Sequence, residues 1–136
     1  MDLTPYLSFN GNCAEAFTLY ARVLGGTIVF AQTFKDSPMA GDVPPEWGDK
    51  IMHSTLKAGP FTLMGADSPP SQYAVTKGMS LSIGVDTPEE GEQIFNALAD
   101  GATVTLPFAK TFWSSGFGMV IDRFGIPWMV NCSQQP

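Results

Sequence analysis

A net charge of −6 on 136 residues, with only two arginines and five lysines, excludes the basic surface that binding to nucleic-acid phosphates requires. The length suits one domain, residues 1–136, and no basic leader or apolar run of about 18 residues predicts secretion or a membrane segment. We therefore expect a cytoplasmic protein with no nucleic-acid or membrane partner. Charged residues make up 15% against 44% hydrophobic ones, which favours a homodimer whose contact includes part of 111–117.

The first half of the chain has the pattern of one strand, one helix and three further strands. Residues 3–9 alternate between apolar and semi-polar side chains, as in a half-buried strand. Asn12 followed by Glu15 resembles a capping box, and the helix after it is expected to end at the glycine pair 25–26. Three strands are then predicted, over 27–34, 51–57 and 61–66.

Residues 35–49 separate the second and third strands and contain three prolines and two glycines. This composition predicts a long mobile loop without regular structure. Loops of this length are often lids or disordered links, and Trp47 is the residue expected to gain most from closing over an apolar ligand.

The same order of elements is repeated after a linker, 67–77. A strand alternates from residue 79 to 85, a helix begins at Thr87 with proline at its first position, and it ends at 100–101. Strands are expected over 103–106, 117–122 and 127–132, the last two joined by a turn from Asp122 to Gly125. The sequence therefore predicts an α+β protein of two tandem βαβββ modules, about 1–66 and 78–133, forming one curved mixed sheet with the helices outside.

The alternation also predicts which face binds a ligand. Aliphatic residues of the first strand in each module should face the helices (Leu3, Leu7, Phe9, Leu81, Ile83, Val85). The opposite face would then form a semi-polar cup for a small molecule, closed by aromatic residues, although loops or a second subunit could cover it instead. The predicted ligand-binding residues are Tyr6, Ser8, Trp47, Met64, Ser80, Ser82, Trp113, Phe117 and Met129.

His53 is the only histidine, and it lies on the third strand with Thr55 on the same face. It is the candidate catalytic residue, as a general base, but a histidine that merely hydrogen-bonds a hydroxyl fits as well. Asp67 and Glu46 are weaker acid-base candidates, for which solvated loop charges are the simpler interpretation. The two cysteines have no spacing that suggests metal or redox chemistry.

The chain resembles a known family through several motifs. These are Pro5-Tyr6-Leu7-Ser8-Phe9, Ala14-Glu15-Ala16-Phe17, Thr111-Phe112-Trp113 and the run from Gly116 to Asn131. Together they are similar to the vicinal oxygen chelate superfamily, which includes glyoxalase I, extradiol dioxygenases and bleomycin-binding proteins. The closer resemblance is to the PhnB-like branch, also labelled demethylubiquinone methyltransferase-like. The resemblance implies the glyoxalase-like fold more strongly than any chemistry.

Metal-dependent relatives in that superfamily bind a divalent ion through His, Gln and Glu on four strands. The corresponding positions here carry Thr4, Leu63 or Met64, Ser80 and Met129, which are poor ligands for such an ion. We therefore expect no metal and no cofactor. The glycine-rich turn of Rossmann-type methyltransferases is also missing from the sequence, which argues against methyl transfer.

Two functions from different classes remain. The first is metal-independent binding of a small organic molecule in the cup. The second is an enzyme of the vicinal oxygen chelate type, a lyase, isomerase or dioxygenase, that uses an atypical metal site or His53 as a general base.

Overall fold

A computed structural model describes residues 1–132 and divides them into two compact units, the first covering Met1–Ala74 and the second beginning at Val75. The first unit contains β1 (Tyr6–Phe9), α1 (Cys13–Leu24), β2 (Thr27–Thr33), β3 (Ile51–Ala58) and β4 (Phe61–Asp67). The second contains β5 (Leu81–Val85), α2 (Pro88–Ala99), β6 (Thr103–Ala109), β7 (Phe117–Ile121) and β8 (Pro127–Cys132). The predicted α+β class and the repeated βαβββ order are confirmed.

Each unit holds one mixed, four-stranded sheet. The strand order is β1-β4-β3-β2 in the first unit and β5-β8-β7-β6 in the second. The first strand of each unit pairs in parallel with the last, and the remaining pairs are antiparallel. The predicted end of the second module, near residue 133, lies outside the described residues, and the single curved cup formed by both sheets stays a prediction.

The two helices begin with different hydrogen bonds. Thr87 caps α2 as predicted, because its hydroxyl accepts from the amide of Glu90 at 3.2 Å. Asn12 precedes α1, but its side chain makes no capping hydrogen bond, so the expected capping box is wrong. A distant carboxylate bonds another amide of the first turn, since Oδ1 of Asp67 accepts from the amide of Cys13 at 2.9 Å.

The helix of the first unit ends at a glycine, as predicted. Gly25 adopts φ 65°, the left-handed conformation that glycine tolerates best. The amide of Gly26 then donates to the carbonyl oxygen of Ala21 at 2.8 Å. This tight reversal places β2 directly after α1.

The core of the first unit lies between its sheet and α1. Leu7 and Phe9 are buried as predicted, and the ring of Phe9 meets that of Phe17 edge to face at 5.9 Å. The prediction that Leu3 faces the helix is wrong, because Leu3 precedes β1 and is 100% exposed. In the second unit Val85 is buried, whereas Leu81 and Ile83 are only half-buried.

The hairpin between β7 and β8 contains the expected turn. The amide of Gly125 donates to the carbonyl of Asp122 at 2.9 Å, and Gly125 has φ 89°. The buried carboxylate of Asp122 accepts three more hydrogen bonds, from the amides of Phe124 and Ile126 and from the indole of Trp128, at 2.9, 3.0 and 2.8 Å. One side chain therefore fixes both the turn and the strand that follows it.

Residues 35–49 are more ordered than the composition predicted. They contain two short 3-10 helices, Ala40–Asp42 and Pro45–Trp47, so the expectation of no regular structure is wrong. Prolines at 44 and 45 suit the start of the second, because their φ is already close to helical values. An exposed ion pair between Lys35 and Asp49, at 2.6 Å, joins the two ends of the segment. Whether the segment moves stays a prediction.

Candidate functional site

The side of the first sheet that faces away from α1 collects four of the predicted site residues. Tyr6 and Ser8 alternate with buried residues on β1, Met64 alternates with them on β4, and His53 lies on β3. The strand register places four residues in one row across the sheet: Tyr6 pairs with Met64, Met64 with Thr55, and Thr55 with Phe30. We call this surface the β1–β3 face.

A chain of hydrogen bonds crosses the β1–β3 face. The hydroxyl of Tyr6 lies 2.9 Å from Nδ1 of His53, and Nε2 of His53 lies 3.1 Å from Oγ1 of Thr55. A neutral imidazole satisfies both bonds when Tyr6 donates to Nδ1 and the Nε2 proton is donated to Thr55. The oxygen of Tyr6 can then accept, and the hydroxyl of Thr55 can donate, one bond to a ligand.

Aromatic rings surround the imidazole. The ring centroids of Tyr6 and Phe30 lie 5.5 and 5.9 Å from that of His53. Both rings keep large exposed fractions, 53% for Tyr6 and 48% for Phe30. The β1–β3 face therefore offers apolar ring surface directly beside a polar chain, the combination typical of small-molecule sites.

Tyr6 remains a neutral phenol at physiological pH. Partial burial raises the pKa of its hydroxyl, with a smaller contribution from the neighbouring Cys13 thiol. Burial, and next the carboxylate of Asp67, also raise the pKa of Cys13, so this thiol is not activated as a nucleophile. The site thus contains hydroxyl and imidazole groups but no thiolate.

Two participants in this site were missed as ligand-binding residues. Thr55 shares a face with His53 by simple alternation, so the sequence contained its signal. Phe30 could not be assigned in the same way, because β2 has register shifts between Ile28 and Phe30 and between Gln32 and Thr33. Such irregularities break the period of two that links sequence to face.

The weaker acid-base candidates are placed elsewhere. Asp67 is buried at the end of β4, where Oδ2 accepts from the amide of Ile51 at 2.8 Å in addition to the bond from Cys13. The expectation of a solvated loop charge is therefore wrong for Asp67, which holds β3 and α1 to β4. Glu46 is exposed in the second 3-10 helix.

Trp47 lies against the turn that follows β1. A Cβ atom at Gly11 would approach its ring to 3.4 Å, and Nζ of Lys50 is 5.9 Å from the ring centroid. The same ammonium donates to the carbonyl of Gly11 at 2.9 Å. Trp47 is therefore packed at one end of β1, and closure over a ligand stays a prediction.

The second unit collects the other predicted ligand-binding residues. Ser82 is exposed on β5 opposite Met129 of β8, and Met129 also lines an open groove of about 630 Å³ with Ser80. The rings of Trp113 and Phe117 meet at 5.4 Å. Phe112 is 91% exposed beside them, so a subunit contact through 111–117 stays a prediction.

The residues on β4 that correspond to a metal-ligand position of the superfamily are both apolar. Of the two alternatives on β4, Met64 lies on the β1–β3 face and Leu63 is buried on the other side. Residues 1–132 contain no group of three His, Cys, Asp or Glu side chains placed to hold an ion.

Neither α1 nor α2, nor the shorter helices in this range, has the length and apolar character needed to cross a bilayer.

Comparison with known proteins assigns the family. The model of the family described as 3-demethylubiquinone-9 3-methyltransferase matches residues 1–131. Protein YjdN of Escherichia coli is 35% identical over 145 residues, which covers 100% of this chain and 99% of that protein. The structure of PA1353 from Pseudomonas aeruginosa is 49% identical, with a TM-score of 0.89 and 99% of each chain covered.

More distant structures share the fold alone. A Bacillus cereus protein described as a putative 3-demethylubiquinone-9 3-methyltransferase, PhnB protein, is 24% identical with a TM-score of 0.83, covering 97% of this chain and 99% of that one. Proteins of the glyoxalase, bleomycin resistance and fosfomycin resistance type match at 14% and 5% identity, with TM-scores of 0.65 and 0.66. The chain therefore belongs to the 3-demethylubiquinone-9 3-methyltransferase-like, or PhnB-like, family and has the glyoxalase-like fold of the vicinal oxygen chelate superfamily.

Proposed function

We propose that the protein binds a small organic molecule on the β1–β3 face without the help of a metal ion. The observation that carries this proposal is the chain from Tyr6 through His53 to Thr55, flanked by the exposed ring of Phe30. These hydrogen bonds leave one acceptor, the oxygen of Tyr6, and one donor, the hydroxyl of Thr55, for a ligand. The aromatic rings supply contact area. A planar aromatic molecule with a hydroxyl group satisfies both requirements.

The experiment uses 2-naphthol as the probe and follows backbone amide shifts by NMR during a titration. Shifts are expected at residues of the β1–β3 face. Tyr6→Phe removes one hydrogen bond and Phe30→Ala removes one ring contact, and each should weaken binding by about three- to tenfold.

Phe61→Ala is the matched control. Phe61 is an exposed aromatic residue of the same sheet, 72% accessible, but alternation along β4 places it on the opposite face. Its loss should leave the affinity for 2-naphthol unchanged. Equal weakening in Phe61→Ala and Phe30→Ala, or no binding up to the solubility limit of the probe, contradicts the proposed site.

The second candidate is an enzyme of the vicinal oxygen chelate type, and one observation favours it. Because the hydroxyl of Tyr6 is hydrogen-bonded to Nδ1 of the only histidine, His53 can act as a general base on a bound molecule by proton transfer through that hydroxyl. Under this hypothesis His53→Ala abolishes turnover, or a divalent ion is bound through atypical ligands.

Elemental analysis tests the metal-dependent form of the second candidate. After incubation with zinc, manganese, nickel or iron(II) and gel filtration, we expect no stoichiometric ion, since methionine, threonine and serine hold such ions poorly. One equivalent of metal that is lost in His53→Ala would favour the enzyme over the binding protein.

A further inference from the structure

Asn131 on β8 has an unused hydrogen-bonding atom. Its Oδ1 is shielded from solvent and has no hydrogen-bond partner among the described residues. An unsatisfied buried acceptor is unfavourable, so buried amide oxygens are nearly always paired in folded proteins. The amide of Asn131 would therefore gain from a hydrogen bond to a ligand.

The neighbours of Asn131 across the sheet leave room on one side and provide an aromatic ring on the other. Gly84 of β5 is its partner in the parallel pair, and a Cβ atom added there would meet no other atom within 4 Å. Phe117 of β7 is its partner in the antiparallel pair, with Trp113 at 5.4 Å from the Phe117 ring. A side chain at position 84 would occupy the space that Gly84 leaves open.

The side chains paired with Asn131 and Met129 across the sheet carry no charge. The neighbouring row across the sheet contains Ser82, Met129 and Met119. These side chains and the aromatic rings cannot neutralise a buried ion, whose desolvation would cost several kcal/mol. The chemistry of the face therefore favours a neutral ligand.

We propose that Asn131, Gly84 and Phe117 form a subsite for a neutral, planar heterocycle that carries a hydrogen-bond donor and acceptor side by side. A lactam is the simplest example. The asparagine amide rotates about a soft terminal torsion, and its oxygen and nitrogen together match such an edge with two parallel hydrogen bonds. The ring of the ligand lies in the space over Gly84. This inference rests on the proposed small-molecule function and specifies the class of ligand.

The test compares isoquinolin-1(2H)-one, a fused lactam, with its N-methyl derivative, which has the same ring and lacks the donor. Titrations are followed by NMR of the side-chain amide groups. The lactam is expected to shift the Asn131 amide signals and to bind at least tenfold more tightly than the N-methyl compound. Asn131→Leu should abolish this preference, and Gly84→Leu should abolish binding.

Gly41→Leu is the matched control, because Gly41 of the first unit also has open space around its Cβ position and a permissive backbone angle. Circular dichroism verifies that each variant is folded. Equal affinity for the two compounds, binding that survives in Gly84→Leu, or no binding by the lactam would each overturn the subsite. Binding of 2-naphthol to the β1–β3 face is measured in the same samples, so a failure of this subsite is distinguishable from a failure of the proposed function.

Discussion

Replacement of Asp122 by alanine is expected to lower the free energy of unfolding by about 3–5 kcal/mol. The substitution removes the acceptor of three buried hydrogen bonds, which are donated by the amides of Phe124 and Ile126 and by the indole N–H of Trp128. The loss of each bond reduces the compensation for burying its donor. Urea denaturation followed by tryptophan fluorescence and circular dichroism measures the change.

Two further variants identify the cause of that loss. Asp122→Asn keeps the shape and one acceptor oxygen, so it should retain part of the stability. Asp86→Ala removes an exposed carboxylate from the same unit and is expected to change stability by no more than about 0.5 kcal/mol. An Asp122→Ala protein as stable as Asp86→Ala would show that the hairpin does not depend on this carboxylate.

The second large effect is expected at Gly26. A Cβ atom at this position would lie 2.6 Å from the carbonyl oxygen of Lys57 and 2.9 Å from the Cβ of Ala58. Because the first of these atoms belongs to the backbone of β3, it cannot move aside as a flexible side chain would. Gly26→Ala should therefore displace β2 from β3 and cost about 3 kcal/mol.

Gly84→Ala provides the comparison for Gly26→Ala. Both exchanges add one methyl group at a glycine without a positive φ, but the methyl group at position 84 meets no atom within 4 Å. It should be neutral or slightly stabilising, since alanine restricts the unfolded chain more than glycine does. Similar denaturation midpoints for the two variants would argue against close packing of Gly26 on β3.

Local pattern was sufficient for the repeated order of elements. The strand over 127–132 and the turn at Gly125 coincide with the structure, because alternation and turn chemistry are properties of neighbouring residues. Leu3 and Asn12 failed for a related reason. Each satisfies a local rule, but pairing of β1 with β4 begins only at Tyr6, and the start of α1 is bonded by a carboxylate from β4 and not by the side chain of Asn12.

The contacts within the candidate site could not be predicted from local sequence alternation alone. Alternation placed Tyr6 and Ser8 on one face, and His53 was identified as a polar residue on β3, whereas the choice between Leu63 and Met64 on β4 was left open. The bond from Tyr6 to His53 joins residues 47 positions apart, and it depends on the parallel pairing of β1 with β4. A single sequence, taken without an alignment, contains no direct signal for such a pairing. For the same reason Asp67 was assigned to a loop, since the amides that donate to its carboxylate lie 54 and 16 residues away in sequence.

The parallel pairing of β1 with β4 also constrains the order of events during synthesis. In the strand order of the first unit, β1 is an edge strand whose hydrogen-bonded neighbour is β4. Asp67 at the end of β4 accepts hydrogen bonds from amides 54 and 16 residues earlier. While the ribosome is still adding residues 61–67, the first strand has no partner and the first helix lacks its carboxylate cap. The N-terminal residues of the nascent chain must therefore wait for about half of the protein to emerge before their native contacts can form.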